Sequence, residues 1–260
     1  MGIAVATITG NLMLVAGSLL FGALALVASA IPPRGDWTFR VARAWARCLL
    51  AASFVRVRAS WEQSIDPDGR FVLMANHQSL YDIPALLAVW PGQARFMAKQ
   101  TLFRIPIFGW AMRAGGFIPV DRRNPSQAPE AFAAATARLA AGTSVILFPE
   151  QMRSFDGRLL AFQRGGFLLA LKSRLPILPA GLDGTRSVQR RGSFLVRPGA
   201  VTVRFGAPVE TAGRSVREVR LGGELAAEVR QQVAALARVE VAAEESRRSV
   251  APADAAAAGG

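Results

Sequence analysis

The chain has 260 residues, 52% of them hydrophobic, with a mean hydropathy of +0.28 and a formal net charge of +13; the length suits one large α/β domain or two small ones, and the hydropathy lies above the soluble norm. A single cysteine, Cys48, excludes a disulfide framework and a cysteine metal site, and a single histidine, His77, argues against a histidine-built metal centre. Strong positive charge often means nucleic acid, but the arginines are scattered and no helix-turn-helix, zinc or RNP pattern accompanies them, so nucleic acid is set aside as a partner.

Residues 1–33 contain no Asp, Glu, Lys, Arg or His. Within them, residues 12–31 would form a helix roughly 30 Å long, the thickness of a bilayer's hydrocarbon core, ended by Pro32-Pro33. A cleavable signal peptide finds support in the "ASA" at residues 28–30 but lacks a basic leading region, so a membrane anchor is the better reading. Arg34, Arg40, Arg43, Arg47, Arg56 and Arg58 follow, against Asp36 alone. Such a cluster marks the cytoplasmic side of a membrane and is drawn to anionic lipid. In "DWTFRVARAWARCLLAASF", Trp37, Val41, Ala44, Trp45, Cys48 and Leu49 recur at three- and four-residue spacing. That pattern predicts an amphipathic helix at the membrane interface, a helix packed on the domain being the plainer alternative. Residues 1–58 are thus expected to hold the anchor and the interfacial helix.

Further on, short β-rich runs alternate with helical ones. Strands are expected over 71–76, 94–99, 116–120, 144–149 and 176–182, and a hairpin over 193–206 turning at Pro198-Gly199. Helices are expected over 82–90, 105–114, 126–141, 164–173 and from Glu224 to about residue 245. The alternation predicts an α/β fold over residues 59–245, a largely parallel central sheet covered by helices on both faces. Residues 246–260 have nothing to bury and are expected to be disordered.

Parallel strands present functional residues at their carboxyl ends, and three polar clusters fall there. The first is "NHQSLYD", with Asn76, His77, Ser79 and Asp82. The second runs from Lys99 through Pro106, Gly109 and Gly116 to Asp121-Arg122. The third is "FPEQMRS", residues 148–154, with Pro149, Glu150 and Arg153. A neutral imidazole is a good base near neutral pH, and a carboxylate on its other nitrogen fixes the tautomer. His77 and Asp82 could meet if the histidine lies in a turn and the aspartate in the first turn of the next helix. The plainer reading makes His77 a polar strand end and Ser79-x-x-Asp82 a helix capping box. No G-x-S-x-G elbow occurs, so the pair suggests direct transfer onto a substrate hydroxyl. Arg122 and Arg153 are the residue type that binds phosphate bidentately.

"NHQSLYD" resembles the H-x4-D signature of the glycerolipid acyltransferases, the family of lysophosphatidic acid acyltransferase. "KQTLFRIPIFGWAMRAGGFIPVDR" is similar to that family's second block, "FPEQMRS" to its third and "LPILPAGLDGT" to its fourth, in the expected order over residues 70–185. The resemblance implies His77 as base and Asp82 as its orienting partner. It implies Lys99, Arg122, Glu150 and Arg153 as the acceptor's phosphate site, with Asn76, Ser79, Pro106, Gly109, Gly116 and Pro149 as motif support. It also implies transfer of an acyl group from acyl-CoA or acyl carrier protein to the sn-2 hydroxyl of lysophosphatidic acid, without metal or bound cofactor, at a membrane. One departure stands out. The family usually has E-G-T-R where this chain has Glu150-Gln151-Met152-Arg153. If that glycine takes positive φ, Gln151 costs roughly 1 kcal/mol, and Met152 removes a hydroxyl. Another lysolipid acceptor, a non-catalytic lipid-binding protein and a thioester hydrolase are the competing functions.

Overall fold

The computed structural model describes residues 2–32, 35–121, 124–219 and 223–242. The expectations for Arg34, Arg122 and the 246–260 tail lie outside the described residues. The uncharged amino terminus is helical from Gly2 to Ala28, longer than the span expected. It comprises α1 (Gly2–Leu12), a π-helical turn (Met13–Gly17) and α2 (Ser18–Ala28). Glycine lets it approach the domain closely. A Cβ on Gly10 would meet the hydroxyls of Ser53 and Tyr81, and one on Gly22 would meet Ile107. Thr38 Oγ1 also donates to Ala25 O at 3.2 Å.

α3 (Asp36–Ala52) is helical as expected, but of the stripe its spacing named only Leu49 is buried, while Trp37, Ala44 and Cys48 are exposed and a neighbouring face packs on the domain. Phe39, Ala46, Leu49 and Leu50 are buried in the core. Arg43 Nη2 donates to Gly92 O at 2.9 Å, and buried Arg95 reaches Asp36 at 3.1 Å, clamping α3 to the sheet. Trp37 stays exposed with Arg40 over its ring. The strand β1 (Val55–Trp61) follows and runs across the boundary drawn at residue 58. Its V-R-V-R alternation makes Arg56 and Arg58 strand residues rather than part of the juxtamembrane cluster. Both are exposed on an edge strand, where charge discourages pairing with another chain.

The remaining strands are β2 (Val72–Ala75), β3 (Ala94–Lys99), β4 (Ile118–Val120), β5 (Ser144–Leu147), β6 (Ile177–Asp183) and β7 (Gly199–Phe205). They form a seven-stranded sheet in the order β1-β7-β6-β2-β5-β3-β4. Neighbours are parallel except β6 and β7, so β1 and β7 run against the other five. Alternate side chains feed two cores, as a sheet covered on both faces requires. Leu73 and Ile146 face the core shared with α3 and α4 (Asp82–Val89), whereas Val72, Met74, Val145 and Leu147 face the other. That second core is closed by α6 (Ala128–Ala140), α7 (Arg164–Ser173) and α9 (Glu224–Ala237). Two short helices complete the series, α5 (Phe108–Ala114) and α8 (Thr185–Val188).

Two expectations are corrected. The 193–206 hairpin does not form, because residues 193–198 are not a strand and β7 pairs with β1 and β6 instead. The last helix ends at Ala237, not near residue 245. Arg238 takes φ 56°, and Val239 N bonds back to Ala234 O at 3.1 Å, a Schellman closure. The chain beyond it is extended and bridges Leu159.

Candidate active site

β2 delivers the site. Just past its end, buried Asn76 donates from Nδ2 to Leu182 O (3.0 Å) and accepts at Oδ1 from Leu182 N (2.7 Å), tying the strand end to β6. His77 then leaves the sheet. Its N–H donates to Glu150 Oε1 at 2.5 Å, and its carbonyl accepts from Ser154 N at 2.8 Å. The imidazole lies flat on Phe148 with centroids 4.1 Å apart.

Asp82 opens α4 and is fully buried. Its Oδ2 accepts from His77 Nδ1 (2.7 Å), Gln78 N (2.7 Å) and Ser79 N (2.8 Å). The capping bond expected from Ser79-x-x-Asp82 and the histidine–carboxylate pair therefore meet in one oxygen. Two backbone N–H groups hold that oxygen in place, so the imidazole keeps its proton on Nδ1 and offers Nε2 as the base. Ser79 Oγ donates to Gln189 O at 2.8 Å, fastening the same turn to the residue after α8.

Glu150 differs from expectation. It is buried, and its two oxygens accept His77 N and Leu160 N, which leaves it a brace for the histidine rather than a phosphate ligand. Burial pushes its carboxyl up to about 8; the backbone bonds to Leu160 and His77 oppose the rise and the Asp82 charge adds to it. The next residue, Gln151, takes φ 61°, the left-handed conformation that a glycine would occupy without strain.

Arg153 is half-buried, and its carbonyl accepts from Arg191 Nη1 at 2.8 Å. Burial and the Arg191 charge lower its pKa, while the Asp82 charge raises it. Two guanidinium groups thus stand close together, neither in an ion pair among the described residues. Arg186 Nη2 binds Phe155 O at 2.8 Å on the same loop. Arg186 and Arg191 were missed by sequence reasoning. The basic run "TRSVQRRG" after the fourth block was their only signal, and it carries no periodicity.

Lys99 is exposed at the carboxyl end of β3 and is not brought into contact with His77; its neighbour in the sheet is Val120. Pro149 is buried and accepts from Gln163 N at 2.9 Å. Pro106 and Gly109 shape the turn into α5, where a Cβ on Gly109 would strike the Phe103 backbone. Gly116 has φ 75°, with the Arg138 guanidinium where a side chain would go.

A family model described as Acyltransferase matches residues 56–183. The 1-acyl-sn-glycerol-3-phosphate acyltransferase of Cocos nucifera is 38% identical over 143 residues, 55% of this chain and 46% of that protein. The human 1-acyl-sn-glycerol-3-phosphate acyltransferase alpha is 29% identical over 166 residues, 64% and 59% of the two chains. The crystal structure of the 1-acyl-sn-glycerophosphate (LPA) acyltransferase PlsC from Thermotoga maritima matches with a TM-score of 0.76 at 26% identity, over 91% of this chain and 95% of that one. Over residues 56–183, just under half of its length, the chain is thus similar to acyltransferases, and the relatives and the solved structure named here are 1-acyl-sn-glycerol-3-phosphate acyltransferases. It spans about half the length of the plant relatives it matches.

Proposed function

We propose that the protein transfers a fatty acyl group from a thioester, acyl-CoA or acyl carrier protein, to the sn-2 hydroxyl of lysophosphatidic acid, forming phosphatidic acid. The carrying observation is the His77–Asp82 pair, with a buried carboxylate and an available Nε2, at the carboxyl end of β2. In this reading Nε2 takes the hydroxyl proton as the oxygen attacks the thioester carbonyl. The C–S bond then breaks, and the imidazolium returns the proton to the departing thiolate. Asp82 stabilises the imidazolium between the two steps. The scheme needs no metal or bound cofactor.

An apolar cavity of about 470 Å³ supports a lipid substrate. Its wall includes Leu80, Ile83 and Phe96, and Phe96 lies 6.3 Å from Phe148, which stacks on His77. Arg153, with Arg191 beside it, is the phosphate site in this reading; two guanidinium groups without an acid between them suit a phosphomonoester dianion. The exposed Met152 in place of a threonine favours, as the second reading, another lysolipid acceptor.

The amino-terminal helix touches the domain from Thr7, bonded to Val196 O at 3.1 Å, to Ala25, bonded to Thr38. That is roughly 27 Å of helix. A segment crossing the bilayer would depart from the domain, so we infer that this helix lies along the membrane in one leaflet. The domain then faces the cytoplasm, consistent with Arg40, Arg43 and Arg47 of α3.

Purified protein with labelled acyl thioester and a panel of lysolipids tests the function. Product with lysophosphatidic acid, lost by about 10² or more in His77→Ala, is expected. Thiol release without an acceptor would mean a hydrolase, and lipid binding without product a carrier.

A further inference from the structure

The stretch "QRRGSFLVRPG" follows α8 and makes no strand before residue 199. It is fastened to the amino-terminal helix instead. Asn11 Nδ2 donates to Phe194 O at 2.8 Å, and Thr7 Oγ1 both donates to Val196 O (3.1 Å) and accepts from Val196 N (3.0 Å). Thr7 and Asn11 are one helical turn apart, so the loop lies along the helix. With these backbone groups satisfied, Val196 turns inward and is buried, while Phe194 is 82% and Leu195 37% exposed.

Next along α1 from the two bonding positions stand Ile8 and Leu12, exposed to 68% and 64%. Four large apolar side chains therefore flank one hydrogen-bonded seam. A lone exposed apolar residue is ordinary, but a group of neighbouring ones marks a contact surface. Arg190 and Arg197 bracket the loop, and neither is in an ion pair among the described residues. Charge alone would suit an acidic protein equally. The apolar surface decides, because exposed apolar side chains continue along the uncharged helix at Leu20, Leu24 and Val27, farther than a loop-sized protein contact requires.

We propose that the 190–197 loop is a second membrane-insertion element, with Phe194 and Leu195 entering the acyl layer of an anionic bilayer and Arg190 and Arg197 remaining among its headgroups. This rests on the one-leaflet reading of the helix given above. The mixture of apolar tip and basic flank is what binds an interface, by area buried plus attraction to anionic lipid. The loop is also coupled to the site. Gln189, immediately before it, receives the Ser79 hydroxyl, and Arg191 within it holds the carbonyl of Arg153. Insertion would therefore set the catalytic turn at the bilayer surface where a lysolipid resides.

Cys48 is the only cysteine, so a single probe can be placed cleanly in the full chain. A Cys48→Ser protein carrying Phe194→Cys, labelled with a polarity-sensitive fluorophore, is bound to vesicles of phosphatidylcholine and phosphatidylglycerol. A blue shift and quenching by nitroxides on the lipid acyl chains are expected. The same label through Glu210→Cys, at the opposite end of the sheet, should show neither. An unshifted, unquenched probe at position 194, in protein that is vesicle-bound and active, overturns the proposal. So does a shift that appears only when an acidic carrier protein is added. As a second measurement, Phe194→Ser with Leu195→Ser should lower kcat/KM by about tenfold for acceptor presented in vesicles and leave it unchanged for acceptor in detergent micelles. An equal fall in both would mean that the loop only supports the fold. If wild-type protein acylates no lysolipid, the proposed function fails while the depth measurement still stands.

Discussion

Asp82→Asn separates charge from geometry at the site. In the native turn Oδ2 accepts two backbone N–H groups, from Gln78 and Ser79, besides His77 Nδ1. An asparagine must place its oxygen there, because the alternative sets an NH2 against two N–H donors. The imidazole orientation and its tautomer are thereby preserved, and only the negative charge is lost. With N···O at 2.7 Å, the carboxylate and an imidazolium are centred roughly 4 Å apart, worth about 4 kcal/mol at an effective dielectric of about 20. Asp82 is fully buried, so water does not weaken that figure further. The imidazolium forms only as the hydroxyl proton is transferred, so the loss falls on the chemical step, about 10³-fold in kcat. The acceptor KM should change little. Steady-state acyl transfer at saturating donor measures both constants, and circular dichroism checks that the fold is intact. Activity within tenfold of wild type, with the fold retained, would refute the claim that Asp82 acts through its charge.

Replacing Arg153 by Ala should raise the acceptor KM strongly and leave the donor KM unchanged, since binding that is equal in ground and transition states appears in KM. Arg191→Ala should act in the same direction, and Arg153→Lys should rescue only partly for want of the bidentate fork; an unmoved acceptor KM with every lysolipid would remove both residues from the phosphate site. Glu150 has its folded pKa raised to about 8, so it adds stability below the unfolded value near 4.5 and loses it as pH rises through 8. The melting temperature of wild type relative to Glu150→Gln should therefore fall between those two pH values, and a constant difference would refute the assignment. Gln151→Gly relieves a left-handed residue and should stabilise the fold by about 1 kcal/mol, some 2–4 °C in Tm; no gain by calorimetry would mean that the turn is not strained.

The central strands β2, β5 and β6 were legible because each is a short run buried on both faces, and such runs need no partner to be recognised. The same holds for the order of the polar clusters at the strands' carboxyl ends. His77 and Asp82 were legible too, five residues apart with one turn between them. The segments misread are those whose partners are distant in sequence. "SFLVRPG" has the composition of a strand, yet its carbonyls at 194 and 196 bond to Asn11 and Thr7 on the first helix. "VRVRASW" is a strand only because β7, far along the chain, lies parallel beside it. α3 has an amphipathic face that would suit a membrane equally well, and burial of Phe39 and Leu49 under it is a tertiary choice.

By itself the sequence determined the uncharged amino terminus, the α/β alternation and the local pairing of a base with a carboxylate. These depend on periodicity and on neighbours a few residues apart. Only the tertiary structure decided that Glu150 holds the His77 backbone, that Arg191 stands against Arg153 and that the first helix runs along the domain. The physical reason is common to the three. A carboxylate accepts from an N–H as readily as from a guanidinium, an arginine's reach exceeds any local pattern, and an apolar helix gains by leaving water whether protein or lipid receives it.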